Sequence, residues 1–293
     1  MLKNSRLVVA VAQFAPQLGD LTANADSHAR LIRQAQAAGV ELLLFPELSL
    51  TGYQLGERII EVALDRYDPL LRELADVAPE MTVVLGFVEE GPAAQFYNAA
   101  IALHGGRMEF LHHKLNLPAY GNLEEAKWFA AGSFIETFGT GRPWRVATLI
   151  CADLWNPALV HLAMVHGATL LLAPINSAVD AVGGQFSNPE GWERTVRFYA
   201  MMYGMPVLMA NRVGVEGMAR FWGGSRIIGP IGETLAEAGP DEECLLTATL
   251  DYQAIRQARF HLPTLRDANL DLVNREVKRL AAKVGVPTFM RDE

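Results

Sequence analysis

Three residues of chemically useful type stand at the ends of apolar runs in this chain. Glu47 follows the run in LLLFPELSLTGY, Lys114 closes the run in FLHHKLNLP, and Cys151 breaks the pattern in RVATLICADLWNP. A carboxylate can take the proton of a thiol. The sulfur can then attack an electron-poor carbon, and an ammonium can hold the oxyanion that forms. Chains of α/β type carry such groups at the C-terminal ends of strands. Glu, Lys and Cys at three strand ends would make a complete set for acyl transfer.

Each residue has a plainer reading when taken alone. A cysteine at a strand end is more often a buried structural residue. Glu47 reads equally as a helix cap or a solvated loop carboxylate, and Lys114 as a surface charge at the end of a hairpin. What favours Cys151 locally is the sequence after it. Asn156-Pro157 is a helix-entry signal, and a helix N-terminus beside a thiol stabilises the thiolate and lowers its pKa. The three residues are too far apart for a local motif, so only the fold can bring them together.

The elements that must position them follow from the apolar runs and their breakers. Strands are expected over 7–14, 42–45, 83–89, 97–104, 108–113, 146–150, 169–173, 207–211, 226–228 and 244–250. Gly105-Gly106 should turn the fourth strand into the fifth as a hairpin. Helices are expected over 21–38, closed by Gly39, over 57–77 with a break or kink at Pro69, over 159–165, over 192–203 as begun by Asn188-Pro189-Glu190, and over 251–259. The stretch 115–132 is long and irregular, the mark of a functional loop. No repeat or Ser/Gly-rich linker divides the chain. The pattern predicts one α/β domain over residues 1–255, with an extension over 256–293 that packs on the domain or on a partner subunit.

Composition narrows the function. With 293 residues, 51% hydrophobic and 20% charged, the chain can bury an ordinary core. Its net charge of -8 comes without any basic run interleaved with aromatics, which argues against a nucleic-acid partner. The two cysteines, Cys151 and Cys244, cannot make a disulfide framework, so a reduced, cytoplasmic protein is expected. Neither a signal peptide nor a membrane span is expected. The seven histidines show no spaced ligand set, and the adjacent His112 and His113 should point to opposite faces of a strand as structural residues. No metal and no cofactor is expected.

The segments FPELSLTGY, HHKLNLP and LICADLWNP, in that order, resemble the three signatures of the carbon–nitrogen hydrolase (nitrilase) superfamily. The resemblance extends from VAVAQFAPQLGD to the strand at Cys244. It implies a four-layer α-β-β-α sandwich built from two sheets. It also implies a homodimer whose cysteine-side helices pack across the interface to give eight layers, with the C-terminal extension embracing the partner. Matched residue by residue, it gives Glu47 as general base, Lys114 as oxyanion stabiliser and Cys151 as nucleophile, with the backbone N–H of Ala152 as a second oxyanion donor. A further glutamate of the family maps onto LEEAKWFAAG at Glu125, with Glu124 as the neighbouring alternative.

The resemblance also bears on substrate. True nitrilases follow the nucleophile with Trp-Glu, whereas this chain has Ala152-Asp153. That shifts the expectation from nitriles to small linear amides, hydrolysed through a thioester with release of ammonia. N-carbamoyl amine or amino-acid hydrolysis is the close alternative, and nitrile hydrolysis a further one. Likeness to the glutaminase domain of glutamine-dependent NAD synthetases is also present, but a chain of this length leaves no room for a synthetase domain. A catalytically silent scaffold and a cysteine-based redox protein are the alternatives of other classes. Tyr53, Tyr120, Trp155 and Asn176 are the candidates for the substrate pocket, Asn176 foremost because it ends a strand beside that of Cys151. Asp153 is expected to support the turn, and Arg194 and Arg197 to form helix-surface salt bridges rather than anchor an acidic substrate.

Overall fold

The computed structural model describes residues 5–141 and 143–284. The chain opens with β1 (Arg6–Gln13), α1 (Leu21–Ala37) and β2 (Leu42–Leu44), then α2 (Ile59–Val62), α3 (Pro69–Val77) and β3 (Thr82–Gly91). The hairpin β4 (Gln95–His104) and β5 (Arg107–His113) follows. A one-turn helix α4 (Glu125–Trp128) and the short β6 (Thr137–Gly139) lead into β7 (Arg145–Thr148). Then come α5 (Pro157–Val165), β8 (Leu170–Pro174), α6 (Asn188–Tyr203) and β9 (Val207–Ala210). Four short strands, β10 (Val213–Glu216), β11 (Ala219–Trp222), β12 (Arg226–Ile228) and β13 (Thr234–Glu237), precede β14 (Cys244–Asp251). Helices α7 (Tyr252–His261) and α8 (Leu270–Val284) complete the described chain.

Two six-stranded sheets form, in the orders β14-β1-β2-β3-β4-β5 and β13-β12-β9-β8-β7-β6. At the centre of each, three strands run parallel, β1-β2-β3 and β7-β8-β9. Antiparallel strands extend the edges. Parallel strands covered on both faces need apolar side chains throughout, which is why LLL at 42–44 and LLLAP at 170–174 are unbroken runs.

Alternation along β1 explains the layering. Val9 and Val11 point inward and pack with Leu42, Leu44 and Val84 against Val146, Leu170, Leu172 and Leu208 of the other sheet. Ala10 and Ala12 point outward, where Leu31, Ile32 and Ala35 of α1 and Leu71 and Leu74 of α3 cover the first sheet. On the second sheet, Ala147, Leu171 and Val207 meet Val160 and Met164 of α5 and Trp192 and Val196 of α6. The result is the expected α-β-β-α sandwich, with three apolar layers built from a period of two along each strand.

Several expected boundaries change for local reasons. Residues 57–77 are not one helix. Pro69 is the first residue of α3, where its missing N–H costs nothing, and Asp68 caps that helix by accepting from the Leu70 N–H at 2.8 Å. Helix α6 does start at the Asn188-Pro189-Glu190 signal, ahead of its apolar face. The ribbon β10–β11 and the edge strands β6 and β13 are too short to show a period. Strand β7 stops at Thr148, so Cys151 does not sit directly between a strand and an α-helix. The boundary expected at 255 falls within α7, whose Ile255 is buried in the layer between the sheets. Residues 285–293 of the expected extension lie outside the described residues. No described helix is long and apolar enough to cross a membrane.

Candidate active site

Glu47 leaves β2 through Pro46, and the chain turns at once: Leu48 has φ 48°, unusual for a residue with a branched side chain. Gly86 of β3 makes room for this turn, because a Cβ there would stand 2.3 Å from the Leu48 nitrogen. Lys114 emerges from the end of β5, its N–H bonded to the Asn98 carbonyl at 2.9 Å. Cys151 starts a five-residue 3-10 turn, Cys151–Trp155, with φ 44°. Positive φ in a residue other than glycine costs of order 1–3 kcal/mol and is held only where the surroundings insist on it.

The fold brings Glu47, Lys114 and Glu125 into direct contact. Lys114 Nζ donates to Glu47 Oε1 at 2.6 Å and to Glu125 Oε1 at 2.7 Å. Asn98 Nδ2 donates to the same Glu47 oxygen at 2.7 Å, and the Tyr53 hydroxyl donates to Glu125 Oε1 at 2.6 Å. All three charged side chains are buried. Glu47 Oε2 is buried and has no hydrogen-bond partner, which leaves that oxygen able to take a proton. Glu124, by contrast, is exposed and touches none of this cluster. The one-turn helix α4 sends the two adjacent glutamates in different directions.

The electrostatics follow from burial and from the neighbours. Burial pushes the Glu47 carboxyl up to about 7, with Glu125 adding to the rise and Lys114 opposing it. Burial works against the Lys114 charge, but Glu125 and Glu47 outweigh it and hold the ammonium well above the usual lysine range. Burial also pushes the Cys151 thiol well above its ordinary value, and the Glu47 charge adds to this. Lys114 and a hydrogen bond from the Asn176 backbone N–H oppose the shift without cancelling it. This corrects the expected depression of the thiol pKa by a helix N-terminus. Helix α5 begins only at Pro157, capped by Asn156, and carboxylates rather than a helix dipole dominate around the sulfur. The directions of the two shifts, both upward, favour a protonated thiol beside the carboxylate.

Asp153 joins the two halves of the site. Its Oδ1 accepts from the N–H groups of Leu115 and Asn116 at 2.9 and 2.8 Å, and its Oδ2 accepts from the Ile150 N–H at 3.0 Å. His112 Nε2 lies 3.2 Å from Oδ2, while His113 faces away toward Glu89. Ala152 is the second residue of the 3-10 turn. The first bond within that turn runs from the Asp153 N–H to the Ile150 carbonyl, so the Ala152 N–H precedes it and is left out of the turn's own bonding.

Two neighbouring cavities, both lined by Tyr53 and Gln54, adjoin the cluster. One, of about 250 Å³, is lined by Tyr53, Gln54, Glu125, Trp128 and Phe129 among others. The other, of about 430 Å³, is lined by Tyr53, Asn122, Glu124, Asn176, Asp180 and Phe221 among others. Of the four expected pocket residues, Tyr53 and Asn176 line these cavities, and Asn176 Nδ2 also donates to the Glu47 carbonyl at 3.0 Å. Tyr120 and Trp155 line neither. Tyr120 is exposed, though near enough to Cys151 for the charge of the sulfur to be felt at its hydroxyl. Trp155 packs against Trp192, with ring centroids 4.7 Å apart. Arg194 and Arg197 pair with Glu190 and Glu193 along α6. Asn98 was not singled out from sequence. Its only signal is a polar residue in the apolar strand YNAAIAL. Among the described residues no group of three or more His, Cys, Asp or Glu side chains could hold a metal ion.

A two-sheet α-β-β-α sandwich with a buried Glu-Lys-Glu cluster beside a cysteine defines a class of hydrolytic enzyme. The chain belongs to the carbon–nitrogen hydrolase family, whose description it matches over residues 8–260. An N-carbamoylputrescine amidase of Solanum tuberosum is 28% identical over 286 residues, covering 92% of this chain and 94% of the plant protein. A glutamine-dependent NAD(+) synthetase of Thermotoga maritima is 29% identical over 250 residues, covering 84% of this chain, but this chain spans only 42% of that protein. Among solved structures, an amidase from Nesterenkonia sp. AN1 aligns with a TM-score of 0.77 and 26% identity, over 94% of this chain and 98% of that one. Its mutant carries the acetamide moiety of fluoroacetamide covalently at the active site cysteine.

Proposed function

We propose that this carbon–nitrogen hydrolase cleaves a small linear amide through a thioester on Cys151. The observation that carries this reading is the buried Glu47–Lys114–Glu125 cluster beside a neutral thiol. Glu47 Oε2 takes the proton of Cys151, and the sulfur attacks the amide carbon. The oxyanion is held by the Lys114 ammonium and the Ala152 N–H, the kind of stabilisation whose loss costs about 10²–10³ in rate. Glu47 then gives its proton to the departing nitrogen, and ammonia leaves. Water, deprotonated by Glu47, attacks the thioester, and collapse returns the proton to sulfur and releases the acid. Glu125 keeps Lys114 charged and in place throughout. Tyr53 and Asn176 form part of the substrate pocket.

A carbamoyl compound is the second reading, supported by the near full-length match to a carbamoylputrescine amidase. It would pass through the same steps, with carbon dioxide and an amine among the products. Intact-mass measurement of Cys151 during turnover of a panel of primary amides and N-carbamoyl amines, with ammonia assayed in parallel, separates the two. An acyl adduct with ammonia release supports the first reading. Release of carbon dioxide supports the second. No ammonia from any member of either panel, with a thiol that still alkylates, overturns both.

The assembly is proposed to be a homodimer in the cytoplasm. Leu162 and Val165 of α5 and Phe198 and Met201 of α6 are exposed apolar residues on the helices that flank the Cys151 turn, which supports pairing there. Leu270, Val273, Val277 and Leu280 expose one stripe of α8, which supports an extension that packs on a partner. Both cysteines are free, in keeping with a reducing compartment.

A further inference from the structure

One buried ion pair lies outside the chemistry described above. Arg212 and Glu216, at the two ends of the β10 segment, are both buried and face each other. The Arg212 guanidinium lies over the Phe221 ring, 4.3 Å from its centroid, and Nη2 donates to the Pro16 carbonyl at 3.2 Å. A pair sealed this deeply is seldom kept for stability alone, because desolvating both charges offsets most of their attraction.

The second ligand set of Glu216 shows where its effect goes. Glu216 Oε2 accepts from the backbone N–H groups of Tyr53 and Gln54, at 3.1 and 2.9 Å. The approach depends on Gly52, whose φ is 84° and where a Cβ would stand 2.9 Å from Leu18 and 3.2 Å from Glu216 Oε1. Phe221, across the ribbon, sets the Tyr53 ring edge-on at 6.4 Å between centroids. The Tyr53 hydroxyl then reaches Glu125 Oε1, the same oxygen that accepts from Lys114. Two sets of charge-assisted hydrogen bonds, Arg212–Glu216–Tyr53 N–H and Tyr53 hydroxyl–Glu125–Lys114, are thus joined through the covalent frame of the Tyr53 side chain.

We infer that Glu216, held by Arg212, is a positioning residue for Lys114, acting through Tyr53 and Glu125. The inference rests on the proposed role of Lys114. The β10–β11 ribbon belongs to neither large sheet, so its packing on the 50s loop is what couples it to the site. Tyr53 is then more than a pocket wall. Its hydroxyl stabilises Glu125 as an anion, and a charged, fixed Glu125 fixes the ammonium at the place where the oxyanion forms. Small misplacements of such a group cost up to about 10²-fold in rate.

The test uses the full-length enzyme and the variants Tyr53→Phe, Glu216→Asp and Glu216→Gln, with Cys151→Ala and Lys114→Met as controls. Glu216→Asp keeps the charge beside Arg212 but draws its oxygens back from the two N–H groups, so it separates positioning from stability. If Glu216→Gln does not fold, the Asp variant still decides. We expect Tyr53→Phe and Glu216→Asp each to lower kcat about tenfold or more with KM changed less than about threefold. The double variant should be no slower than the slower single. Wild-type kcat in both single variants, a loss carried by KM rather than kcat, or fully additive losses in the double, overturn the inference. If Lys114→Met itself keeps full turnover, the proposed chemistry fails instead.

Discussion

Glu47 Oε1 stands 2.6 Å from Lys114 Nζ, with neither side chain open to solvent. The contact does not make Glu47 a strong acid. Burial outweighs the ammonium and brings the carboxyl to about 7. The sign for activity follows directly. In the proposed mechanism the base form takes the thiol proton, and it is lost as pH falls through this value. We therefore expect kcat/KM to be level above about pH 8 and to fall about tenfold per unit well below 7, measured as initial rates across a pH series. A profile level down to pH 5 would assign the proton transfer to another group. Replacing Glu47 by Gln should remove both the activity and the limb.

Lys114 answers two carboxylates at once, so its removal has two separable effects. Lys114→Met should lower kcat by about 10²–10³ through the lost oxyanion partner. It also leaves Glu47 and Glu125 buried without a counter-charge, a loss of about 3–5 kcal/mol. Urea denaturation at pH 8 reads the second effect. It should shrink as pH falls, because Glu47 can then be protonated. A midpoint unchanged at pH 8 would mean that water reaches the cluster.

Asp153 ties the exit of Lys114 to the entry of Cys151 through three backbone N–H groups. Asp153→Asn keeps the shape but turns an NH2 group toward the Ile150 N–H or toward the pair at 115 and 116. One buried donor then faces another, which costs about 1–3 kcal/mol. We expect lower thermal stability together with a fall in kcat, since the two loops of the proposed site lose their common tether. A variant that loses stability but retains full kcat would show that the loops hold their own geometry.

How much of this was legible in the sequence differs by residue. The parallel core strands were, because burial on both faces demands unbroken apolar runs such as 42–44. So was the order of the three motifs. Pro69 misled, because a proline at the start of a helix and one that kinks a helix look alike in a sequence. The family pattern favours Glu125 over Glu124; the physical difference, one buried and the other exposed, comes from the orientation of a four-residue helix. The direction of the Cys151 shift was not legible at all. It depends first on how the fold buries the sulfur, and then on which charges converge from distant loops. The Glu216 contact to Tyr53 was hidden for the same reason, on a ribbon too short to show a period.

His28 offers a test of how the base of the site responds to acid. Its ring is buried, with Nδ1 2.7 Å from the Asn24 carbonyl and Nε2 3.0 Å from Ser49 Oγ, and it packs against Phe14 and Phe45. Burial lowers its pKa to about 4 from 6.5, against the bond to Asn24, which favours the charge. The unfolded chain therefore takes up a proton near 6.5 that the folded protein refuses until about 4. Stability from this group is complete above 6.5 and is lost as pH falls through that window, by about 3 kcal/mol in all. Ser49 Oγ also accepts from the Gly86 N–H at 3.3 Å, beside the Glu47 turn. Acid that charges His28 thus loosens the loop that carries the proposed base. Urea midpoints of the wild type and His28→Gln, compared between pH 7 and pH 4, should converge as pH falls, because only the wild type carries the titration. Parallel curves would show that His28 is charged in the folded protein or that water reaches it.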